Sequence, residues 1–342
     1  MPHKALTIAG VSILPGETQK IELPVGRLYT DAAISMPVYV KRGKRSGPVM
    51  LVSAAIHGDE LNGIEIIQRL IHSKALNTLR GTLIAVPVVN VYGVINHSRY
   101  LPDRRDLNRS FPGSKKGSLA ARMANLFLEE IVSKCDYGID FHTGAVHRSN
   151  LPQIRANLDD EETAAMAKAF GVPVLLNSNL LDGSLRQCAD DLGVTMLLYE
   201  AGEALRYDEL SIRAGVRGTI NVMRHLGLLS KSRSRKQAIE PVTARTSSWI
   251  RATDSGFVQF HKELGDHVQE GERLATIRDP YGDLLDIVNS RYEGIIIGKQ
   301  NIPLVQEGEA MYHIAYFKQP DDVVEGIEQL QDLLPPDDTA LS

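Results

Sequence analysis

His57-Gly-Asp-Glu60 sets an imidazole and a carboxylate three residues apart, two groups suited to holding a divalent metal ion. What leads into them matters as much. Val49 to Ile56 is apolar and β-branched enough to read as a fully buried strand. The pair therefore falls at the carboxyl end of a strand, the edge at which open α/β sheets place their ligands. A second short apolar segment, Tyr137 to Gly144, carries Asp140 and His142 in the same setting. A catalytic zinc site needs three protein ligands and one open position, and His57, Glu60 and His142 make such a set. Asp140 is then a natural orienting partner for a ligand.

A histidine after a strand is by itself more often a surface residue than a ligand. The glutamate three residues on, the matching His142 and a third element tip the balance. Arg99 to Gly113 is a loop by composition, lies between the two ligand segments and follows another buried strand, Leu83 to Asn90. Asn108 and Arg109 offer an amide and a planar guanidinium fork to one carboxylate. Arg99 can supply a second positive group near a developing oxyanion.

In order along the chain, His57-Gly-Asp-Glu60, Asp106 to Gly113, Asp140-Phe-His-Thr-Gly144 and Glu200-Ala-Gly202 resemble the motifs of the succinylglutamate desuccinylase/aspartoacylase family. This family is a branch of the zinc carboxypeptidase-like hydrolases, and the likeness spans residues 45 to 230. It implies one zinc per chain on His57, Glu60 and His142, with Glu200 as general acid/base. Asn108 and Arg109 are implied to grip a substrate carboxylate, and Arg99 to polarise the scissile carbonyl. Arg104 and Arg105 lie closer to Asp106 and keep that last role open. Glu200 suits its part, since it ends the apolar segment Thr195 to Tyr199 and precedes the flexible Ala201-Gly202. Its rival, Glu203, reads as the first turn of a following helix, where acidic residues are favoured.

The elements that must position these groups are legible. Strands up to Val40 lead to a basic turn, Lys41 to Ser46. Helical spacing of apolar residues marks Ile64 to Lys74, Ser118 to Ser133 with Ser118 as N-cap, Asp159 to Phe170, and a helix within Ala204 to Leu228. Strands alternating with helices predict an α/β fold, a zinc-carboxypeptidase-like mixed sheet flanked by helices. Pocket depth falls to the stretches His147 to Asn157 and Asn177 to Arg186, read as loops. Ser230 to Gln237 is polar, basic and aperiodic, the composition of a linker.

Beyond it, Val268-Gln-Glu-Gly-Glu272 recurs as Val305-Gln-Glu-Gly-Glu309. Leu274 then matches Met311, Ile277 matches Ile314, and Gly256-Phe-Val258 matches Gly294-Ile-Ile296. Two such units predict a small all-β domain that resembles the biotinyl/lipoyl barrel-sandwich scaffold. No lysine stands at the hairpin Val288 to Gly294, so no attached cofactor is expected and the domain reads as a cap. The predicted division is 1–235 catalytic, 236–318 cap and 319–342 acidic tail. The tail's amphipathic Val323 to Leu334 either packs on the body or mediates association of identical chains.

A net charge of −4 and 342 residues with 43% hydrophobic content suit a substantial core and give no electrostatic reason to expect nucleic acid. Cys135 and Cys188 make neither a disulfide framework nor a paired-cysteine metal site and read as packing residues. Without a leader-like or membrane-spanning run, the expectation is a cytoplasmic protein with no membrane partner. Its partner is then a small N-acyl amino acid or related carboxylate-bearing molecule. Three functions remain open: a zinc amidohydrolase acting as a deacylase, a carboxypeptidase on short peptides, and a non-catalytic binding protein with a vestigial site.

Overall fold

The computed structural model describes residues 6–231 and 239–334. At its centre four parallel strands lie in the spatial order Thr195–Glu203, Tyr137–Gly144, Arg45–Ala54 and Arg80–Val86. The Arg45–Ala54 strand is buried on both faces from Met50 onward, as parallel strands covered by helices must be. Ala33–Arg42 and Thr18–Arg27 extend the sheet antiparallel on one side. Thr18–Arg27 alternates buried with solvent-facing residues over Ile21 to Val25, as a half-solvated strand does. On the other side Arg148–Ala156 runs antiparallel to Thr195–Glu203.

The expected helices are found at Asn62–His72, Leu119–Glu130, Glu161–Phe170 and Glu209–His225. Ser118 caps the second, its Oγ accepting the Ala121 N–H at 3.2 Å, a contact worth about 1 kcal/mol. Two apolar layers result. Ile66, Ile67, Leu70, Phe170, Tyr199 and Ile212 pack on one face of the sheet. Leu51, Ile84, Met123, Phe127 and Met196 pack on the other, with Cys135 and Cys188 as buried members of that layer.

From Val242 to Tyr316 the chain is all β. Gly256–Phe260, Arg273–Arg278, Leu284–Asn289 and Leu304–Val305 form a four-stranded sheet. Thr246–Arg251, Ala310–Tyr316 and Gly294–Gln300 instead join the large sheet, where Gly298 to Gln300 pair with Arg148 to Asn150. The repeat read from the sequence is a reciprocal exchange. Val268 pairs with Gly294, and its counterpart Val305 pairs with Gly256. Glu272 accepts the Gln269 N–H at 2.8 Å, and Glu309 accepts that of Gln306 at 3.0 Å. Gly256 and Gly294 each stand where a Cβ would strike a carbonyl at an equivalent position of the repeat, that of Arg278 and that of Ala315.

The described part of the tail packs on the body. Helix Pro320–Leu333 buries Val323 and Leu330 against it. The tail's last eight residues, and the predicted linker from Ser232 on, lie outside the described residues. Among the described residues no helix is long and apolar enough to cross a membrane.

Candidate active site

The Arg45–Ala54 strand ends in a tight turn that presents His57. Ala55 takes a positive φ of 52°, and the Ala54 and Ala55 carbonyls accept the N–H groups of Val89 and Asn90. Gly58 is required for space, because a Cβ there would lie 1.9 Å from the carbonyl carbon of Gly93. His142 stands on the adjacent parallel strand, and Glu200 on the next, in register with it. Three neighbouring strand ends thus deliver the three motifs to one place.

Glu60 bridges the two histidines. Its carboxylate lies 2.7 Å from His57 Nδ1 and 2.9 Å from His142 Nδ1, and it accepts the Thr143 N–H at 3.1 Å. The three side chains are buried and their donor atoms lie within 4.8 Å of one another. Each ring turns its other nitrogen to a carboxylate: His142 Nε2 to Asp140 at 2.8 Å, and His57 Nε2 to Asp106 at 3.2 Å. Ser53 Oγ in turn donates to Asp140 at 2.7 Å. Metal-ligating histidines are oriented in this manner, the outer carboxylate fixing the tautomer and raising ligand basicity. The donor set therefore fits one metal ion.

The charges of the cluster are strongly coupled. Burial alone would lower both histidines, but Asp140 and Glu60 hold His142 well above its ordinary value, and Glu60 and Asp106 raise His57. Burial would raise Glu60 and Asp106, yet His57 and His142 hold Glu60, and His57 and Arg99 hold Asp106, well below the usual carboxylate range. Metal binding here must displace protons. Arg99 lies beside the same donors, 3.3 Å from His57 Nδ1 and 3.4 Å from Glu60, and is anchored to Asp106 at 2.9 Å.

A cavity of about 620 Å³ opens over the cluster. Arg99, Asn108, Arg109 and Glu200 all line it, while Arg104 and Arg105 do not. Asn108 is buried and its amide oxygen accepts the Leu185 N–H at 2.9 Å, tying this loop to the start of helix Leu185–Asp191. Arg109 is solvent-facing, with one nitrogen on the Asn108 carbonyl at 2.6 Å. Glu200 is gripped from both sides by the neighbouring strand, by the Asn150 amide and by Arg155 at 3.5 Å.

Several wall residues escaped the sequence reading. Arg148, Asn150 and Arg155 belong to a strand, Arg148–Ala156, where a loop was expected. Asn150 and Arg155, five residues apart, reach the same cavity because the pairing with Glu200's strand shifts register between Gln153 and Asn150. Arg186 is buried, donates to Ser178 Oγ at 3.0 Å and the Asn179 carbonyl at 2.8 Å, and is pulled down to about 10 by burial and by Arg155. Asp106 was read only as part of a loop motif, with no signal of its contact to His57. Glu203 also corrects an expectation. It ends the strand Thr195–Glu203, and the helix begins only at Glu209 with Asp208 as cap. A bulge beyond Glu200 and a positive φ at Gly202 turn the chain there. The Glu203 carboxylate accepts from the His147 N–H at 3.1 Å and from Asn301 at 2.8 Å, and so joins two loops.

Residues 46–226 match the succinylglutamate desuccinylase/aspartoacylase catalytic domain. The chain belongs to that family. Over 296 residues it is 28% identical to an N-alpha-acetyl-L-2,4-diaminobutyric acid deacetylase from Halomonas elongata, covering 83% of this chain and 86% of that protein. A succinylglutamate desuccinylase/aspartoacylase from Rhodobacter sphaeroides has the same fold, with a TM-score of 0.78 at 24% identity over 88% of this chain and 96% of its own. An ectoine utilization protein from Ruegeria pomeroyi, solved with product bound, gives the same TM-score and identity over 87% and 94%.

Proposed function

We propose that this family member is a zinc-dependent deacylase that hydrolyses the amide bond of a small N-acyl amino acid. The observation that carries the proposal is the donor set: His57 Nδ1, His142 Nδ1 and Glu60 converge while Asp106 and Asp140 hold the far ring nitrogens. Zinc bound there would polarise the carbonyl and lower the pKa of a coordinated water towards 7.

The remaining work falls to side chains. Glu200, fixed by Asn150 and Arg155, takes the proton from the attacking water and returns it to the departing amine. Arg99, beside the ligands, offers its guanidinium to the developing oxyanion. Asn108 and Arg109 hold the substrate carboxylate, Asn108 by its amide nitrogen since its oxygen is engaged. The cavity sets five arginines against three carboxylates, Glu60, Asp140 and Glu200, a balance that favours an anionic substrate. Residues 1–235 carry this chemistry in our reading. Residues 236–318 form a barrel-sandwich-like cap, and 319–342 a tail.

Zinc-loaded protein offered a panel of N-acyl amino acids and dipeptides, with released amine as readout, tests the proposal. Turnover of an N-acyl amino acid is expected. Turnover of dipeptides alone would make the protein a carboxypeptidase, and stoichiometric zinc without turnover of either would make the site vestigial.

A further inference from the structure

The two halves of the C-terminal repeat meet different surroundings. Phe257 and Ile295 hold equivalent places, Phe257 paired with Leu304 and Ile295 with His267. Ile295 and Ile297 are fully buried and pack with Val174, Leu176 and Val323 of the last helix. In the other half the equivalent Phe257 is half exposed, and it is not part of that apolar cluster among the described residues. Gln259 stands there for Ile297 and Arg278 for Ala315, the exchange expected where a strand face meets water.

Phe257 and Leu304 break the pattern. Both stay apolar although 51% and 47% exposed. With Val146, Pro280 and Ile302 they wall a groove of about 830 Å³. Exposed apolar residues gathered in one groove mark a binding surface more often than chance scatter does. The groove also has an address: Arg99, Ala145 and Arg148 line both it and the metal cavity.

We propose that this groove holds the apolar acyl chain of the substrate, so that the protein favours N-acyl amino acids with acyl groups longer than acetyl. The proposal rests on the deacylase reading and extends it. The departing nitrogen must face Glu200, which borders the metal cavity but not the groove. With the carbonyl oxygen turned to Arg99, the acyl chain then leaves on the side away from Glu200, past Ala145 and Arg148, which border both cavity and groove. The arginine-rich metal cavity suits the charged amino-acid half and leaves the apolar half to the groove.

The test is a series of acetyl, butanoyl, hexanoyl and octanoyl derivatives of one amino acid. A fully buried methylene is worth about fourfold in binding, so kcat/KM should rise at least about tenfold from acetyl to hexanoyl. Phe257→Asp and Leu304→Asp should flatten that ratio, whereas Phe257→Leu, which keeps an apolar wall, should retain it. A flat or falling series in the parent protein, or a ratio untouched in both Asp variants, overturns the proposal. So does a gain that follows apolar amino-acid side chains on N-acetyl substrates and not the acyl chain. Calorimetric titration with octanoate and acetate separates the two levels of inference. Octanoate binding that Leu304→Asp abolishes supports the groove even if no amide is cleaved. Cleavage of acetyl substrates with no octanoate binding removes the groove and leaves the hydrolase.

Discussion

Replacing Asp140 by Asn changes one atom in the support of His142 and should weaken zinc binding by a calculable amount. Asp140 is buried, and its oxygens are taken by Ser53 at 2.7 Å and His142 Nε2 at 2.8 Å. An asparagine keeps the shape and can still accept one hydrogen bond, so the fold should survive. What disappears is the charge that makes the opposite ring nitrogen a better donor. Loss of such an outer carboxylate typically costs 10–100-fold in metal affinity, or about 1.4–2.7 kcal/mol. A second effect runs the other way. Asp140 also holds the proton on metal-free His142, so its removal eases the competition between proton and metal. That relief grows as pH falls. The full loss should therefore appear at high pH and shrink towards acid. Competition with a chelating dye, run on parent and variant at pH 8 and pH 6, measures both. Equal zinc affinity at pH 8, with matched thermal stability, would refute the assignment of His142 as a ligand oriented through Asp140.

Glu200→Gln should keep its zinc and lose about 10²–10⁴-fold in kcat, while Glu203→Gln, at a loop junction, should lose far less; the reverse order would exchange their roles. Arg109→Lys should raise KM for carboxylate-bearing substrates roughly 10- to 150-fold, the equivalent of about 1.5–3 kcal/mol of lost charge-assisted bonding, and cost little on the matched carboxamide, so an equal loss on both substrates would end the grip hypothesis. His313, pushed down to about 3 by burial and by Arg155, must stay neutral in the folded protein. The unfolded chain takes up that proton below its ordinary value of 6.5, so stability falls as pH drops from 6.5 towards 3, by up to about 1.4 kcal/mol per pH unit. Urea unfolding of parent and His313→Phe across this range should show the variant's acid slope shallower; parallel slopes would refute it.

Local signals carried most of the fold into the sequence. The buried strand before His57, the capped helix after Ser118 and the repeat beginning at Val268 were all readable, because each is set by period, cap or turn chemistry within a few residues. The two histidines of the cluster were readable for the same reason, each closing an apolar segment. What stayed hidden was pairing. Nothing near Asp106 says that it reaches His57 across 49 positions of sequence. Nothing near Arg148 to Ala156 says that a neighbouring strand will turn Asn150 and Arg155 towards Glu200. Glu203 failed for a related reason: the bulge that carries its strand past Glu200 depends on a partner strand, and acidic residues near a helix start are too common to discriminate.

Trp249 is the chain's only tryptophan, and it sits in the cavity wall. One face of its indole stacks on His313 at 4.5 Å between centroids, and the guanidinium of Arg148 lies 5.6 Å from the ring centre. The chain's one indole, which can be excited apart from its eleven tyrosines, thus sits at the candidate active site. The neighbouring imidazole, kept uncharged, does not acquire the positive charge of an imidazolium over the working pH range, whereas Arg148 is free to respond to an anion entering the cavity. Indole emission should accordingly follow occupancy without any attached dye, giving ligand titrations and stopped-flow binding rates on the unaltered chain.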